Sequence, residues 1–318
     1  MLLQKFFRKK SQASGIVAIS YLQNGLAVAV ANINDDNKIR ILNSQFFQTL
    51  NPVESGLLLR DFVDKHDLAQ FDCYLVLTSD NYRRVNIEAP AVAISEMSDA
   101  IRWKISDLVD FSVEKAAIDF FEVPASKRAS SNMLEVVASP LEVITEFANK
   151  IDRTGLNLKV IDIQETVLRN LAVLLPENQR GVAVLYLQES SGVILIQKDG
   201  TIYLSRNIDI GYKQLGLDLI SDNTDSRANI EQNNLALEIQ RSLDYVESFY
   251  GIPPISGVAV IPLSAYTQEL LNILNSSHGI TARVMDLSAI VDCDILLDDA
   301  TQSKCAPVIG ATLRFAGE

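Results

Sequence analysis

The pattern Val-Ala-x-x-Tyr-Leu-Gln occurs twice in this chain, at Val17 to Gln23 and again, 165 positions on, at Val182 to Gln188. Each copy opens three extended segments separated by turns. In the first, Ile16 to Leu22 is turned by Gln23-Asn24-Gly25, Leu26 to Ala31 returns, and Asn34-Asp35-Asp36-Asn37 leads into Lys38 to Leu42. In the second, Val182 to Leu187 is followed by Glu189-Ser190-Ser191-Gly192, then Val193 to Gln197, the Asp199-Gly200 turn and Thr201 to Asn207. Asn-Gly and Asp-Gly supply the positive φ of tight hairpins, and β-branched residues fill the runs between them. Two such meanders with the same tripeptide at the same strand end predict an internal duplication. Its period is far too long for a solenoid, so the expectation is two similar domains side by side.

The 318 residues, 48% of them hydrophobic, suffice for two full cores. A net charge of −12 argues against nucleic acid as a partner, since phosphate binding demands a basic footprint. Cys73, Cys293 and Cys305 are scattered and form no Cys-x-x-Cys, which fits buried thiols in a reducing compartment. With only His66 and His278 besides, no zinc site is expected. The most apolar stretch, Gly15 to Ala31, is interrupted by Ser20, Gln23, Asn24 and Gly25 and cannot form the ~20-residue helix that spans a bilayer, so a soluble protein is expected. Met1 to Lys10 sets Lys5, Arg8, Lys9 and Lys10 beside Leu2, Leu3, Phe6 and Phe7 but lacks the apolar core and cleavage site of a signal peptide. Such a tail has the chemistry to rest weakly on anionic lipid, and equally that of a solvated terminus.

Between the meanders, helical spacing predicts a helix near Glu54 to His66, then a strand at Tyr74 to Leu77. Tyr82 to Ile87 leads to a helix from about Ser95 to Asp110 with the stripe Met97, Ile101, Ile105, Leu108. Strands follow at Ala117 to Val123 and Met133 to Ala138, around the polar loop Ser126 to Asn132. Ser139-Pro140-Leu141-Glu142 reads as a capping box opening a helix that buries Ile144, Phe147, Ala148 and Ile151 and ends at Gly155. This is a β-α-β-β-α insert. In the second half, helices are expected at Tyr212 to Ile220, Leu235 to Tyr250, Tyr266 to Asn275 and Ala306 to Phe315, with a strand at Val258 to Ile261 and a polar stretch at Ser221 to Asn234.

Ile101-Arg102-Trp103-Lys104, Leu158-Lys159-Val160-Ile161-Asp162, Glu238 to Tyr245 and Pro307-Val308-Ile309-Gly310-Ala311, in this order, resemble the PilM-like proteins of type IV pilus assembly, nearest to the MshI-like branch serving mannose-sensitive haemagglutinin pili. The resemblance implies an α/β chain with the actin-like ATPase fold of FtsA and PilM: two duplicated RNase H-like domains, with an α+β subdomain inserted in the first. It divides the chain into a basic tail (1–15), a first core domain (16–81, 155–178 and 305–318), the insert (82–154) and a second domain (179–304).

Actin-like ATPases hold phosphate and magnesium with an Asp-x-Gly turn in each meander, where glycine-turn amides cradle phosphate and the carboxylate holds the metal's waters. Here Tyr21-Leu22-Gln23 and Tyr186-Leu187-Gln188 stand in those places, Val28 falls where the family's lysine would, and Ile261-Pro262 replaces the Gly-Gly of the adenosine site. No Asp or Glu lies between Ser14 and Asn34, although a shifted register would enlist Glu189 in the second turn. The implied protein is a non-enzyme without ATP or magnesium, cytoplasmic and peripheral to the inner membrane. Its implied role is to bind the N-terminal cytoplasmic tail of a PilN-like bitopic protein of the pilus assembly platform, in a groove between the first domain and its insert, with a homo-oligomer also open. Candidate contacts are Trp103, about 200° around its helix from Ile101, and Arg102, Arg83 and Arg84. Each also has an internal reading, as packing or solvated charge. Two alternatives stay open: a nucleotide-binding ATPase of this fold, and the cytoplasmic part of a type II secretion platform protein, which would continue into a membrane span where this chain ends at Glu318. Glu238 and Asp244, six apart on a helix, do not face each other and make no acid/base pair. Ser190-Ser191-Gly192 is explained by a plain hairpin turn.

Overall fold

A computed structural model describes residues 15–33, 38–125, 132–217, 226–255, 257–277 and 279–314. The first meander is β1 (Gly15–Leu22), β2 (Gly25–Ile33) and β3 (Ile39–Gln48), followed by α1 (Pro52–Lys65) and β4 (Asp72–Leu77). Then come β5 (Arg83–Glu88), α2 (Ile94–Ile105), β6 (Ala116–Val123), β7 (Met133–Pro140) and α3 (Leu141–Asp152), which make up the expected β-α-β-β-α insert. The chain returns through β8 (Asn157–Ile163) and α4 (Gln164–Val173). The second meander is β9 (Val182–Leu187), β10 (Gly192–Lys198) and β11 (Thr201–Ile208). It continues into α5 (Ser226–Tyr250), β12 (Val258–Val260), α6 (Thr267–Ser276), β13 (Ala282–Val284), α7 (Leu287–Ile290) and α8 (Asp299–Thr312).

The two halves build sheets of the same topology, β3-β2-β1-β4-β8 and β11-β10-β9-β12-β13, while the insert forms a separate sheet, β5-β7-β6. The meander pairs antiparallel, and the last two strands join parallel to its first strand. α4 and α8 lie between the sheets in a shared core. Toward them β2 presents Ala27, Ala29 and Ala31, small enough for a helix to come close, and toward the opposite core it presents Leu26, Val28 and Val30. That alternation along one strand sets which face each layer receives. The outer face of the first sheet packs on α1 and α3, that of the second on α5 and α6.

The duplication holds at the level of topology, but its signature peptide does not repeat in facing. Val17, Ile19 and Tyr21 point to the outer core of the first sheet, whereas Val182, Val184 and Tyr186 point to the shared core. The two copies are out of phase by one residue, which in a strand turns every side chain to the opposite face.

Several elements differ from the sequence expectation. The helix expected to reach Asp110 stops at Ile105, where the 106 and 108 amides turn back to the carbonyls of Trp103 and Ile105, leaving Leu108 exposed. Ser139 caps no helix: its hydroxyl donates to the Asn81 carbonyl, and β7 stays paired with β6 as far as Pro140. Tyr212 to Leu217 is a single turn rather than a helix, closed by Gly216 at a positive φ of 71° that a right-handed helix cannot continue; positions 218 to 220 lie outside the described residues. α5 starts at Ser226, nine residues before the expected Leu235, because its buried stripe runs back to Ala228 through a polar face that hides the period. α8 starts at Asp299, with Asp298 accepting from the Thr301 amide at 2.8 Å, and carries Pro307 in its interior rather than near its start. Phe315, the expected end, lies outside the described residues, as do the loop 126–131 and the tail 1–14.

Candidate functional site: the interdomain cleft and the core–insert groove

The tips of the β1–β2 and β9–β10 hairpins face each other across a cleft of about 590 Å³. Its walls are polar: Gln23 and Asn24 from one tip, Gln188, Glu189, Ser190 and Ser191 from the other, with Asp80 and Lys304 beside them. In this chain the tips hold one another. The Asn24 side-chain amide donates to Glu189 at 2.8 Å, and the Gln23 amide donates to Asp80 at 3.0 Å. Glu189 also pairs with Lys213 at 2.9 Å, and these two donors hold its carboxyl below the ordinary range, the lysine having the larger effect. The shifted acid of the second turn therefore does line the cleft, occupied by a lysine and an amide of the chain itself. Gln164, the first residue of α4, lines the cleft too and is almost fully buried.

The other positions singled out in the sequence fall elsewhere. Tyr186 is buried at the cleft wall, and burial raises its hydroxyl pKa. Val28 points into the outer core, so the positions of β2 that look toward the shared core are the alanines, which carry no cation either. Ile261 packs in the shared core and its amide donates to the Leu185 carbonyl, with Pro262 buried beside it. Among the described residues no group of three or more His, Cys, Asp or Glu side chains is placed to hold a metal ion. Burial pushes the thiols of Cys73 and Cys305 up to about 12 and about 11, far from a reactive thiolate.

Tyr21 belongs to a second concavity, a groove of about 230 Å³ between the first sheet and the insert. One wall is the β1–β2 tip with Leu50 and Pro52 at the start of α1; the other is Glu146, Phe147 and Lys150 on α3. Tyr21 and Phe147 stack with centroids 5.2 Å apart and planes 12° from parallel. The Lys150 ammonium lies 5.4 Å and 5.3 Å from the two ring centres and pairs with Glu146 at 2.6 Å. Leu50 and Val53, 83% and 73% exposed, stand at the α1 end with nothing apolar over them. The resemblance implied a groove between the first domain and its insert, but its lining was missed because the residues come from positions 21, 50 and 147, and only the packing of α3 against β1 brings them together. The stripe of α3 that includes Phe147 was the available signal.

The four residues proposed for partner contact are not brought together. Arg84 is nearly buried in an internal network: it meets Glu135 of β7 at 2.8 Å and Glu165 of α4 at 3.3 Å, and donates to the Ser205 carbonyl of β11 at 3.0 Å. Tyr82 donates to Glu165 at 2.5 Å. Arg84 is thus a clasp joining the insert, α4 and the second sheet. Arg102 donates to the Val113 and Ala116 carbonyls, and Arg83 pairs with Asp110 at 3.0 Å. Trp103, 79% exposed, projects outward and lines neither the cleft nor the groove. Glu238 pairs with Arg206 and Arg241 on the second domain's surface.

This architecture is the actin-like ATPase fold. The chain is similar to the protein solved as the PilM–PilN type IV pilus biogenesis complex, with a TM-score of 0.71 and 16% identity over 94% of this chain and 98% of that one. It is also similar to a Bacteroides thetaiotaomicron protein with an actin-like ATPase fold and unknown function, with a TM-score of 0.51 and 8% identity over 92% of this chain and 96% of that one. No protein-family model matches the sequence, and no curated protein matches it significantly. Among the described residues no helix is long and apolar enough to cross a membrane.

Proposed function

We propose that this chain is a non-catalytic scaffold of a type IV pilus inner-membrane assembly platform, of the mannose-sensitive haemagglutinin type. It works in the cytoplasm at the inner-membrane surface and captures the cytoplasmic tail of a PilN-like bitopic protein in the groove between the first sheet and the insert. The observation that carries the reading is that groove: an aromatic floor of Tyr21 and Phe147, a cation at Lys150, and two uncovered aliphatic side chains at Leu50 and Val53. Uncovered aliphatics beside a preformed aromatic pocket are the elements from which short-peptide sites are built. The cleft supports the non-catalytic part, because its two tips are bridged by Asn24 and Glu189 and carry Tyr-Leu-Gln in place of the Asp-x-Gly turns. The segments that resemble the MshI-like branch support the pilus type.

The test is the binding of a labelled synthetic peptide, the cytoplasmic tail of a PilN-like protein, to the wild type and to Leu50→Asp. Leu50 is exposed, so the variant keeps the fold, and its affinity is expected to fall at least about tenfold, the effect of losing an anchor worth roughly 1.4 kcal/mol or more. Equal binding by both proteins, or none by the wild type, overturns the assignment.

A further inference from the structure

Beside the cleft, and sharing Ser79 and Asn207 with it, a hollow of about 450 Å³ opens between the insert's β5 and β11, the edge strand of the second sheet. Arg83 and Arg84 line it from β5, Ser205 and Arg206 from β11. Three arginines thus share one concavity in a chain of net charge −12, and among the described residues no Asp or Glu lines it.

The carboxylates that meet these arginines stand outside the hollow's lining. Arg84 is fixed by the buried clasp with Glu135 and Glu165, and its donation to the Ser205 carbonyl ties β5 to β11. Arg83 reaches Asp110 with one Nη at 3.0 Å and the Tyr82 carbonyl with the other at 3.1 Å. Arg206 reaches Glu238 with one Nη at 2.7 Å. A guanidinium carries several N–H donors in a fixed fork, so Arg83 keeps its Nε, and Arg206 its Nε and second Nη, for a further acceptor. The Asp110 and Glu238 pairs are partly exposed, the kind of ion pair that contributes least to stability, so an incoming anion competes only with weak contacts. The second sign of a site is neutral. The Ser205 hydroxyl oxygen is buried and has no hydrogen-bond partner among the described residues, a state that an acceptor in the hollow relieves.

We propose that this hollow binds a small phosphate-bearing anion. Arg83 and Arg206 grip its oxygens from the two sides, Arg84 supplies a fixed positive wall, and the Ser205 hydroxyl donates to it. The forked donors of arginine match phosphate oxygens in pairs, and the volume lies within the roughly 300–1,000 Å³ of small-molecule sites. Because the donors come from the insert and from the second domain, the bound anion fastens one to the other. With no carboxylate in the lining to hold a cation, binding needs no magnesium.

The probe is sodium pyrophosphate, titrated calorimetrically into the full chain in magnesium-free buffer with ionic strength held constant by sodium chloride. Saturable binding by the wild type is expected, weakened at least about tenfold in Arg206→Gln and in Arg83→Gln, the loss of one charge-assisted contact in each. Both side chains are partly exposed, so these variants keep the fold, which an unchanged circular dichroism spectrum checks. Inorganic phosphate should compete. No binding by the wild type overturns the inference, as does binding that both substitutions leave unchanged, which would put the anion elsewhere. Binding that appears only with magnesium overturns it too, and so does affinity for vesicles of anionic phospholipid with none for the free anion.

Discussion

Arg84 shows how far a residue's role escapes its sequence context. In the strand Arg83 to Glu88 it reads as one more solvated charge, yet it joins carboxylates from β7 and α4 and a carbonyl from β11. Burial raises the Glu135 carboxyl pKa while Arg84 lowers it. Arg84→Met leaves two buried carboxylates without a counter-charge and is expected to cost about 3 kcal/mol, read as a lower urea midpoint at unchanged m-value. At the cleft, the Glu189 carboxyl lies below its ordinary 4.5. A carboxyl lowered in the folded state adds stability that is fully present above 4.5 and is lost as pH falls through the folded-state value. The stability difference between wild type and Glu189→Gln should therefore shrink between pH about 6 and about 3. A difference that stays constant over that range would show that the Asn24 and Lys213 contacts do not form in solution.

At the scale of elements, strands were read from the sequence more faithfully than helix ends. Both meanders were legible because each turn is marked by Asn-Gly, Asp-Gly, a serine–glycine cluster or an Asn/Asp run and the runs between are rich in β-branched residues. β8 and α4 were not, because Ile161-Asp162-Ile163-Gln164 passes from strand to helix with no break in composition and no side-chain cap from Ile163. α8 was read too short because Pro307 looks like a helix start, whereas the true start is the Asp298 cap. Neither the residues lining the groove nor the Arg84 network were legible, since each set is assembled from segments far apart in the chain. Phase was not legible either: the repeated peptide suggests equivalent tyrosines, and only the packing shows one facing the groove and the other the shared core. The same packing explains the glycine in Pro307 to Ala311. Gly310 crosses α4 so closely that a Cβ would collide with the Val167 carbonyl, and Asn170 donates to the Gly310 carbonyl at 3.0 Å. Gly310→Ala should cost about 2 kcal/mol, seen as a lower thermal midpoint.

For the whole molecule, the two halves share one sheet topology and their hairpin tips meet across the cleft, where we propose that no nucleotide is bound. The hairpin tips join through Asn24 and Glu189, the β2 positions facing the shared core are alanines, and Ile261 with Pro262 fills the turn after β12. The Tyr21–Phe147 groove, with the exposed Leu50 and Val53 at its end, is shaped for contact. The most direct test is the thermal midpoint of the full chain with and without millimolar Mg-ATP. A ligand that binds only the folded state, present at ~100 times its Kd, adds about 2.7 kcal/mol, enough to raise the midpoint visibly. The expected result is no change. A rise that disappears when magnesium is removed would contradict the account, for it would mean that Asn24 and Glu189 part to admit a nucleotide and that the cleft is still a working site.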